Sequence, residues 1–366
     1  MVATTRAHTW QDLAGAALPT RRSEDWRFTD LAALAAIEPR PWSGSDPLGS
    51  LQLPAGVTRL PEAELDAVAG QSLARTGCSE HWPVRLNVGA RPVRLGLRVA
   101  AGAEPLRLEL DAGSAGELLA LHLVLLLEPG ASLALSQRLS ASGAAVCSLV
   151  CEAQLAAAAR LHWGLVAQGH SSAALLGHLA VTQEPGSSLD LVTVSSGWGL
   201  SRLEPRVQQS QGAARTRLRG LQWVDDNQLA DTHSLVRFDG PDGQLDQLHK
   251  TVAAGAGRSV FNGAVQVPRA AQRTDAAQLS RSLLLSDRAR VDTKPELEIV
   301  ADDVKCAHGA TLSRLQQDEL FYLQSRGIAA DQASRLLLAG YCQDVLRELP
   351  DAAAPWPPTA APFREP

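Results

Sequence analysis

Aromatic residues are scarce in this sequence of 366 residues: they make up 4% of it, and there is a single methionine. Because a chain of this length still buries a substantial core, the interior has to be filled by Leu, Val and Ala. Hydrophobic residues account for 45% and charged residues for 20%, which is typical of soluble globular proteins. The net charge of −5 gives no bulk attraction for nucleic acid or an anionic membrane, so we expect neither as a partner.

Cysteines are few, and their spacing gives no disulfide framework. The five present are an odd number at irregular intervals, which favours reduced thiols in a cytosol-like compartment. Cys147 and Cys151 lie four residues apart among apolar neighbours, which predicts small buried hydrophobic side chains. Cys78 lies in a loop-like segment and Cys342 in a predicted helix, and neither has an evident ligand partner in the sequence.

The sequence shows no pattern of a targeting peptide or a membrane span. Residues 1–20 lack the apolar core of a signal peptide. The most apolar run, residues 118–127, is too short to cross a bilayer. We therefore expect a soluble cytoplasmic protein, or one in a plastid-like stroma if it is organellar.

The motifs of nucleotide hydrolysis and of serine hydrolases are also missing from the sequence. A phosphate-binding loop needs a lysine directly after glycine, and none of the lysines, Lys250, Lys294 and Lys305, has that neighbour. The Gly-x-Ser-x-Gly nucleophile motif does not occur. The sequence thus predicts no ATP hydrolysis by this chain.

Alternation of apolar and polar residues dominates between residues 83 and 301. Short alternating runs, such as residues 93–99, are separated by glycine, proline and serine, which is typical of strands joined by turns. Residues 128–135 recur in similar form as residues 184–191. Regular turns with one strand between them fit a stacked β-solenoid, and a β-sandwich is the alternative that the pattern leaves open. Residues 155–160 are rich in alanine and would favour a helix by propensity, but the alternation that follows outweighs it.

Helical periodicity is confined to the two flanks of this segment. Residues 1–82 are predicted to be mostly helical, and two helices are predicted after the strands, over residues 318–325 and 331–349. The Pro- and Ala-rich end is expected to be a disordered tail. The predicted organisation is therefore an N-terminal helical region, a β-core, a C-terminal helical region and a tail, over residues 1–82, 83–311, 312–350 and 351–366.

Cys306 and His308 close the run of strand-like segments. Side chains two apart in an extended chain point to the same face, so this thiol and imidazole can aim at one point. Sulfur and nitrogen ligands of this kind suit zinc or iron–sulfur chemistry, but two do not complete a tetrahedral site. The remaining ligands would come from elsewhere in the fold or from another chain. A buried structural cysteine beside a hydrogen-bonded histidine is the alternative, because a lone Cys-x-His is a weak motif.

The region around this pair resembles the SufB/SufD family of the SUF iron–sulfur cluster assembly machinery. The resemblance is dense over residues 252–346 and thin over residues 31–248. The sequence from Lys294, which reads Lys-Pro-x-Leu-Glu-Ile, is more similar to SufD than to SufB. The sequence departs from the family at Leu312, where a small residue is usual. The matching segments are residues 24–30, 259–263, 274–278, 293–299, 302–311 and 320–328.

The resemblance implies a right-handed parallel β-helix and a role as a non-catalytic scaffold. It implies pairing with SufB and binding of SufC, the ATPase, at the C-terminal helices. It places a transient iron–sulfur cluster at the junction with SufB, with Cys306 and His308 as the metal- and cluster-binding residues of this chain. No cofactor is expected to stay bound to the isolated chain, and the paralogues' shared geometry allows a homodimer when SufB is absent.

A second function class uses the same fold. Some β-helix enzymes act on carbohydrates through clusters of surface carboxylates, and Asp225, Asp226, Asp231 and Arg237 are the candidates here. This carbohydrate-active enzyme is the alternative to the scaffold.

The end of a stacked solenoid presents an unpaired strand edge that can recruit another chain. Residues 281–299 approach that end and are rich in leucine, so we predict a heterodimer joined through the solenoid ends with His308 near the junction. His249 and Lys250 fall near the same end and are interpreted as solvated surface residues.

Overall fold

The computed structural model describes residues 9–44, 46–113 and 115–350. A 3-10 turn covers Glu24–Trp26, and the helices are α1 (Trp10–Ala14), α2 (Ala32–Ala35), α3 (Glu62–Val68), α4 (Gln71–Arg75), α5 (Trp82–Gly89), α6 (Gln317–Ser325) and α7 (Ala330–Leu346). The first strands are β1 (Arg40–Pro41), β2 (Val57–Arg59), β3 (Val93–Val99), β4 (Leu106–Asp111), β5 (Ala115–Leu127), β6 (Ser132–Ser140), β7 (Ala144–Leu155), β8 (Arg160–Gln168) and β9 (Ala174–Gln183). The remaining strands are β10 (Ser188–Ser196), β11 (Leu200–Gln209), β12 (Arg215–Val224), β13 (Leu229–Phe238), β14 (Gln244–Ala253), β15 (Arg258–Val267), β16 (Asp275–Leu284), β17 (Arg290–Ile299) and β18 (Lys305–Ser313).

From β3 onward, successive strands alternate between two sheets. The first sheet runs in the order β17-β15-β13-β11-β9-β7-β5-β3-β2, with β1 beside β5, and the second runs β18-β16-β14-β12-β10-β8-β6-β4. Neighbouring strands are parallel except for the β2–β3 pair. The strands therefore form a parallel β-solenoid of about 8 turns. Strands account for 47% of the residues and helices for 17%. This confirms the predicted mainly β solenoid with helical flanks, and it excludes the β-sandwich.

The repeated Glu-Pro-Gly segments form equivalent corners of stacked coils. Gly130 and Gly186 have φ of 72° and 73°, a left-handed conformation that glycine adopts without steric cost. The Gly130 amide donates a hydrogen bond to the Ala157 carbonyl of the next coil, and the Gly186 amide donates to Ala213. The repeat in the sequence is therefore the repeat of the solenoid.

The solenoid interior changes in chemistry along its axis. The coils from β3 to β8 are filled mainly by leucine, with Leu97, Leu123 and Leu135 fully buried. In the last coils the interior carries amides and hydroxyls: Gln278 Nε2 donates to Gln247 Oε1 at 2.9 Å, and Gln247 Nε2 donates to Ser234 Oγ at 2.8 Å. The coils near the C-terminal end thus combine a hydrogen-bonded polar interior with less apolar burial.

His249 belongs to this polar interior and stacks on Phe261 with ring centroids 4.3 Å apart. Burial lowers the pKa of His249 to about 3. Below about pH 6.5 the unfolded chain therefore takes up a proton at this histidine that the folded chain does not. We expect the free energy of unfolding to decrease as the pH is lowered below about 6.5. The loss from this group alone approaches about 1.4 kcal/mol for each pH unit.

Urea unfolding of the wild type and of His249→Gln at pH 7.5, 6.5, 5.5 and 4.5 measures that contribution. The variant should show a flatter loss of stability on acidification, because glutamine does not titrate. Parallel curves for the two proteins would show that His249 contributes nothing to the acid sensitivity.

The N-terminal helices pack as one layer on the outer face of the first sheet. Trp82 is the centre of this layer, with ring centroids 6.5 Å from Trp10 and 6.3 Å from Trp26. The predicted boundary at residue 83 falls inside α5, which starts with Trp82 and has Pro83 in its first turn, where proline costs no hydrogen bond. The helical region extends to Gly89, and the first solenoid strand starts at Val93.

Arg202 joins this layer to the sheet. Its Nε lies 2.7 Å from Glu204 Oε1, and its Nη1 lies 2.6 Å from Asp231 Oδ2. The guanidinium also donates to the Asp25 carbonyl at 2.9 Å and stacks over the Trp26 ring at 3.9 Å. A fully buried cation therefore holds the N-terminal helical layer and two solenoid strands together.

The C-terminal helix α7 packs on the outer face of the second sheet. Its buried side chains, among them Leu338, Cys342 and Val345, form a cluster with Val192, Leu221 and Val252 of the sheet. Lys250 leaves the sheet toward this helix, and its Nζ lies 2.6 Å from Asp344 Oδ2 and 2.7 Å from the Tyr341 carbonyl. Most of the apolar side chains of α7 are therefore packed within the chain.

Among the described residues, no helix is both long and apolar enough to cross a membrane. The predicted tail, residues 351–366, lies outside the described residues.

Candidate functional site

Cys306 and His308 lie on β18, the terminal strand of the second sheet. One edge of β18 pairs with β16, so that Cys306 sits beside Ala276 and His308 beside Gln278. The other edge has no partner strand in residues 9–44, 46–113 and 115–350. The two predicted site residues are therefore at the free end of the solenoid.

Both side chains face the interior side of this last strand. Ala276 and Gln278, their register partners, are buried in the solenoid interior, and Cys306 packs half-buried against the same core. His308 is exposed because no further coil covers it. The structure thus places this thiol and imidazole on one face, where the interior of the solenoid opens at its end.

The Cys306 thiol is held in its protonated form. Burial raises its pKa, the nearby Asp275 carboxylate raises it further, and a hydrogen bond from the Ala276 backbone opposes the shift. Since metal binds the thiolate, binding at Cys306 releases a proton, and a neighbouring positive charge would favour it. Cys306 alone among the five cysteines is not fully buried.

Three apolar side chains are exposed at this end of the solenoid. Ile299 on β17 is 40% exposed, Val300 is 57% exposed, and Leu312 on β18 is 61% exposed. Together with the free edges of β17 and β18, these side chains form the surface that we call the open end. An exposed apolar rim beside unpaired strands is typical of a surface that binds another chain.

Two residues assigned to the surface from the sequence are buried instead. His249 points into the interior, where it stacks on Phe261, and Lys250 is 2% exposed beneath α7. Adjacent residues of a strand face opposite sides, so one turns into the core and the other meets the helix. The interpretation of both as solvated surface residues was wrong.

The structure removes Asp231 from the candidate residues of the alternative carbohydrate site. Asp231 is fully buried and paired with Arg202, so it is inaccessible to a substrate. Arg237 pairs with Asp239 at 2.6 Å on the surface, and Asp226 lies in the exposed turn after β12. Asp225 and Asp226, adjacent residues of one turn, are the candidate carboxylates that remain near the surface.

A group of three side chains that could hold a metal ion was missed in the sequence. Cys78, His81 and His178 each offer one ligand atom, and these atoms lie within 4.8 Å of one another. The sequence did indicate two of the three residues, because Cys78 and His81 are only three residues apart. His178 comes from a distant strand, and only the fold brings it to this loop.

The family model for "SUF system FeS cluster assembly, SufBD core domain" matches residues 110–341. This range covers most of the solenoid, the open end and most of α7.

The chain belongs to the SufBD family.

Curated members of the SufBD family match about half of the chain. It is 42% identical over 174 residues to an iron–sulfur cluster assembly SufBD family protein of Synechocystis, covering 48% of this chain and 38% of that protein. It is 45% identical over 172 residues to a chloroplastic protein of Arabidopsis thaliana, ABCI7, covering 47% and 36% of the two chains. It is 38% identical over 155 residues to the iron–sulfur cluster assembly protein SufD of Escherichia coli, covering 42% and 37%. The matches span less than two-fifths of these SufBD relatives' lengths.

Proposed function

We propose that this chain is a non-catalytic scaffold subunit of the SUF machinery, which pairs with SufB through the open end and carries SufC on its C-terminal helices. The observation that carries the proposal is the position of Cys306 and His308 on the terminal strand of the solenoid, whose outer edge is free. Family membership supports a role in iron–sulfur cluster assembly.

The ligand count favours a partner. In the described part of the chain, Cys306 and His308 belong to no group of three neighbouring metal-binding side chains. An iron–sulfur cluster requires more ligands than one thiolate and one imidazole. A partner docked on the open end would supply the others, so the cluster is cargo held transiently between two chains.

The open end favours a partner of similar architecture. The free edges of β17 and β18 carry unpaired backbone donors and acceptors beside apolar side chains. Another solenoid end can satisfy these groups while it buries Ile299, Val300 and Leu312, which is why a paralogue such as SufB fits. The same geometry allows a homodimer of this chain when SufB is absent.

The C-terminal helices offer a separate surface for SufC. Helix α6 has no buried residue, and Phe321 and Tyr322 on it are 73% and 57% exposed. Leu336 on α7 is 49% exposed on the side away from the sheet. The rest of α7 is packed on the solenoid. Helix α6 and the outer side of α7 therefore form the exposed surface on which the ATPase can bind.

A reciprocal co-purification experiment tests the proposal. The first variant, Ile299→Asp/Leu312→Asp, places charges on the open end and should lose SufB while it retains SufC. The second variant, Phe321→Asp/Tyr322→Asp, alters exposed positions of α6 and should lose SufC while it retains SufB.

Each variant is the folding control of the other, because a global defect would remove both partners. Wild-type levels of both partners on both variants would contradict the proposed surfaces. Cross-links from SufB that cluster before residue 83, with none on β17 or β18, would contradict the SufB interface in particular.

A further inference from the structure

Cys78, His81 and His178 meet where the N-terminal helical layer rests on the first sheet. Cys78 and His81 lie in the loop between α4 and α5, and His178 projects from β9 beneath that loop. We call these three residues the Cys78 cluster. It involves neither residue of the Cys306–His308 pair, which lies on the terminal strand of the other sheet.

The spacing of the cluster is close to that of a metal centre. One ligand atom from each of the three side chains lies within 4.8 Å of the other two. Bonds of ~2.3 Å to sulfur and ~2.0–2.1 Å to nitrogen place tetrahedral ligand atoms about 3.3–3.7 Å apart. The distances between the three ligand atoms therefore need to shorten by about 1 Å to match a tetrahedral site, and rotation of the side chains can provide this change.

His178 is buried in a way that calls for a partner. Its side chain has no exposed surface, and neither ring nitrogen has a hydrogen-bond partner among the described residues. Its Nδ1 comes closest to Glu204 Oε2, at 3.6 Å, which is longer than a hydrogen bond. Because buried polar groups are nearly always paired, an ion or another ligand is a natural explanation for such a histidine.

The charges beside the cluster are those of Glu204 and of two arginines, Arg202 and Arg206. The His178 imidazole is enclosed by the fold, within reach of the other two side chains of the cluster. Burial alone would raise the pKa of Glu204, but Arg202 and the neighbouring histidines and arginine hold it well below its usual value. An ionised carboxylate thus lies 3.2 Å from His81 Nδ1.

Glu204 is better placed to orient a ligand than to be one. It already pairs with Arg202 at 2.7 Å and with Arg206 at 3.1 Å. A carboxylate that contacts a metal-binding histidine fixes the orientation of the ring and increases its basicity. Glu204 would play that part for His81.

We infer that Cys78, His81 and His178 bind a divalent transition metal ion of the zinc class. One thiolate and two imidazoles are the mixed sulfur–nitrogen set that such ions prefer over magnesium or calcium. Three protein ligands leave a fourth position for water, as in exchangeable zinc sites. A surface cleft of about 320 Å³, lined by Trp26, His81 and Glu204 among others, adjoins the cluster on the side of His81.

A metal here would cross-link two parts of the fold. Two ligands belong to the N-terminal loop and one to the solenoid, and Glu204 on β11 lies beside them. Binding would therefore be coupled to docking of the N-terminal helical layer on the sheet. This inference does not depend on the partners proposed above.

Cobalt(II) titration of the full chain tests the site, because a cobalt–thiolate bond gives a charge-transfer absorption that water and imidazole do not. The titration uses a Cys306→Ala/His308→Ala background, in which the other Cys–His pair is removed. We expect one equivalent of Co²⁺ to give this band and Zn²⁺ to displace it. Removing a ligand by Cys78→Ala or His81→Ala should weaken affinity by more than the ~10–100-fold typical of outer-shell changes.

Matched controls separate the site from general effects. Cys147→Ala removes a buried thiol from the solenoid interior, and His170→Ala removes an exposed imidazole that contacts Ser172, so both should titrate as the background does. His81 is 27% exposed, so His81→Ala tests the site even if Cys78→Ala fails to fold. Absence of the band at one equivalent, or a band unchanged in both His81→Ala and Cys78→Ala, would overturn the inference.

Discussion

Replacing Cys306 or His308 by alanine should abolish iron–sulfur cluster maturation in cells that depend on this chain, while the protein remains folded. Both side chains lie on the interior-facing side of the terminal strand, where Cys306 is half-buried and His308 is exposed, so neither supports much of the core. We expect growth in a complementation assay to fall to the level without the gene. For His308→Ala the free energy of unfolding should change by no more than about 0.5 kcal/mol, as for other exposed positions.

The matched control for these variants is Thr311→Ala on the same strand. Thr311 pairs in register with the exposed Arg281 and therefore faces away from the interior. This variant should support full growth. Loss of soluble protein in both Cys306→Ala and His308→Ala would show that the pair is structural, and normal growth of both would remove them from cluster assembly.

Replacing Arg202 by methionine should cost about 3–5 kcal/mol of unfolding free energy, the range for breaking a buried ion pair on one side. The substitution removes the cation that bridges the buried carboxylates of Glu204 and Asp231, and it removes the stacking on Trp26. The loss is large against the ~5–15 kcal/mol by which proteins are typically stable. Urea unfolding measures it, with Trp fluorescence reporting on the N-terminal helical layer.

Arg237→Met is the control for that experiment. Arg237 forms a surface pair with Asp239 and is 51% exposed, so its removal should cost between 0 and about 1 kcal/mol. Equal urea midpoints for Arg202→Met and the wild type would show that burial of these charges costs as much as their attraction contributes.

The solenoid was predictable because its signal is local and repeats. Alternation marks each strand, and the Glu-Pro-Gly corners at Gly130 and Gly186 mark the coils. In the alanine-rich residues 155–160 the repeat of the coils also determines the structure, although alanine favours a helix. Ala158 has φ of 59° in a corner between β7 and β8, so the repeat of the coil outweighs the helical preference of alanine.

Other parts of the molecule could not be read from local pattern. Whether Lys250 meets solvent or α7 depends on where a helix far along the chain docks, and the sequence pattern carries no such information. His178 and Cys78 are brought together by the register of β9 against the N-terminal layer. For Cys306 and His308 the strand spacing was enough to predict a shared face, whereas their position at a free edge required the strand order.

The change from a leucine-filled to a polar interior has a consequence for cooperativity. In a stacked solenoid each coil is stabilised mainly by its two neighbours, and the terminal coil has only one. The last coil here also sits on the less apolar interior around Gln247 and Gln278, so local opening should start at β17 and β18. Amide hydrogens there would exchange first in the isolated chain. A docked partner would act as the missing neighbour, so that assembly itself completes the folding of the strand that carries Cys306 and His308.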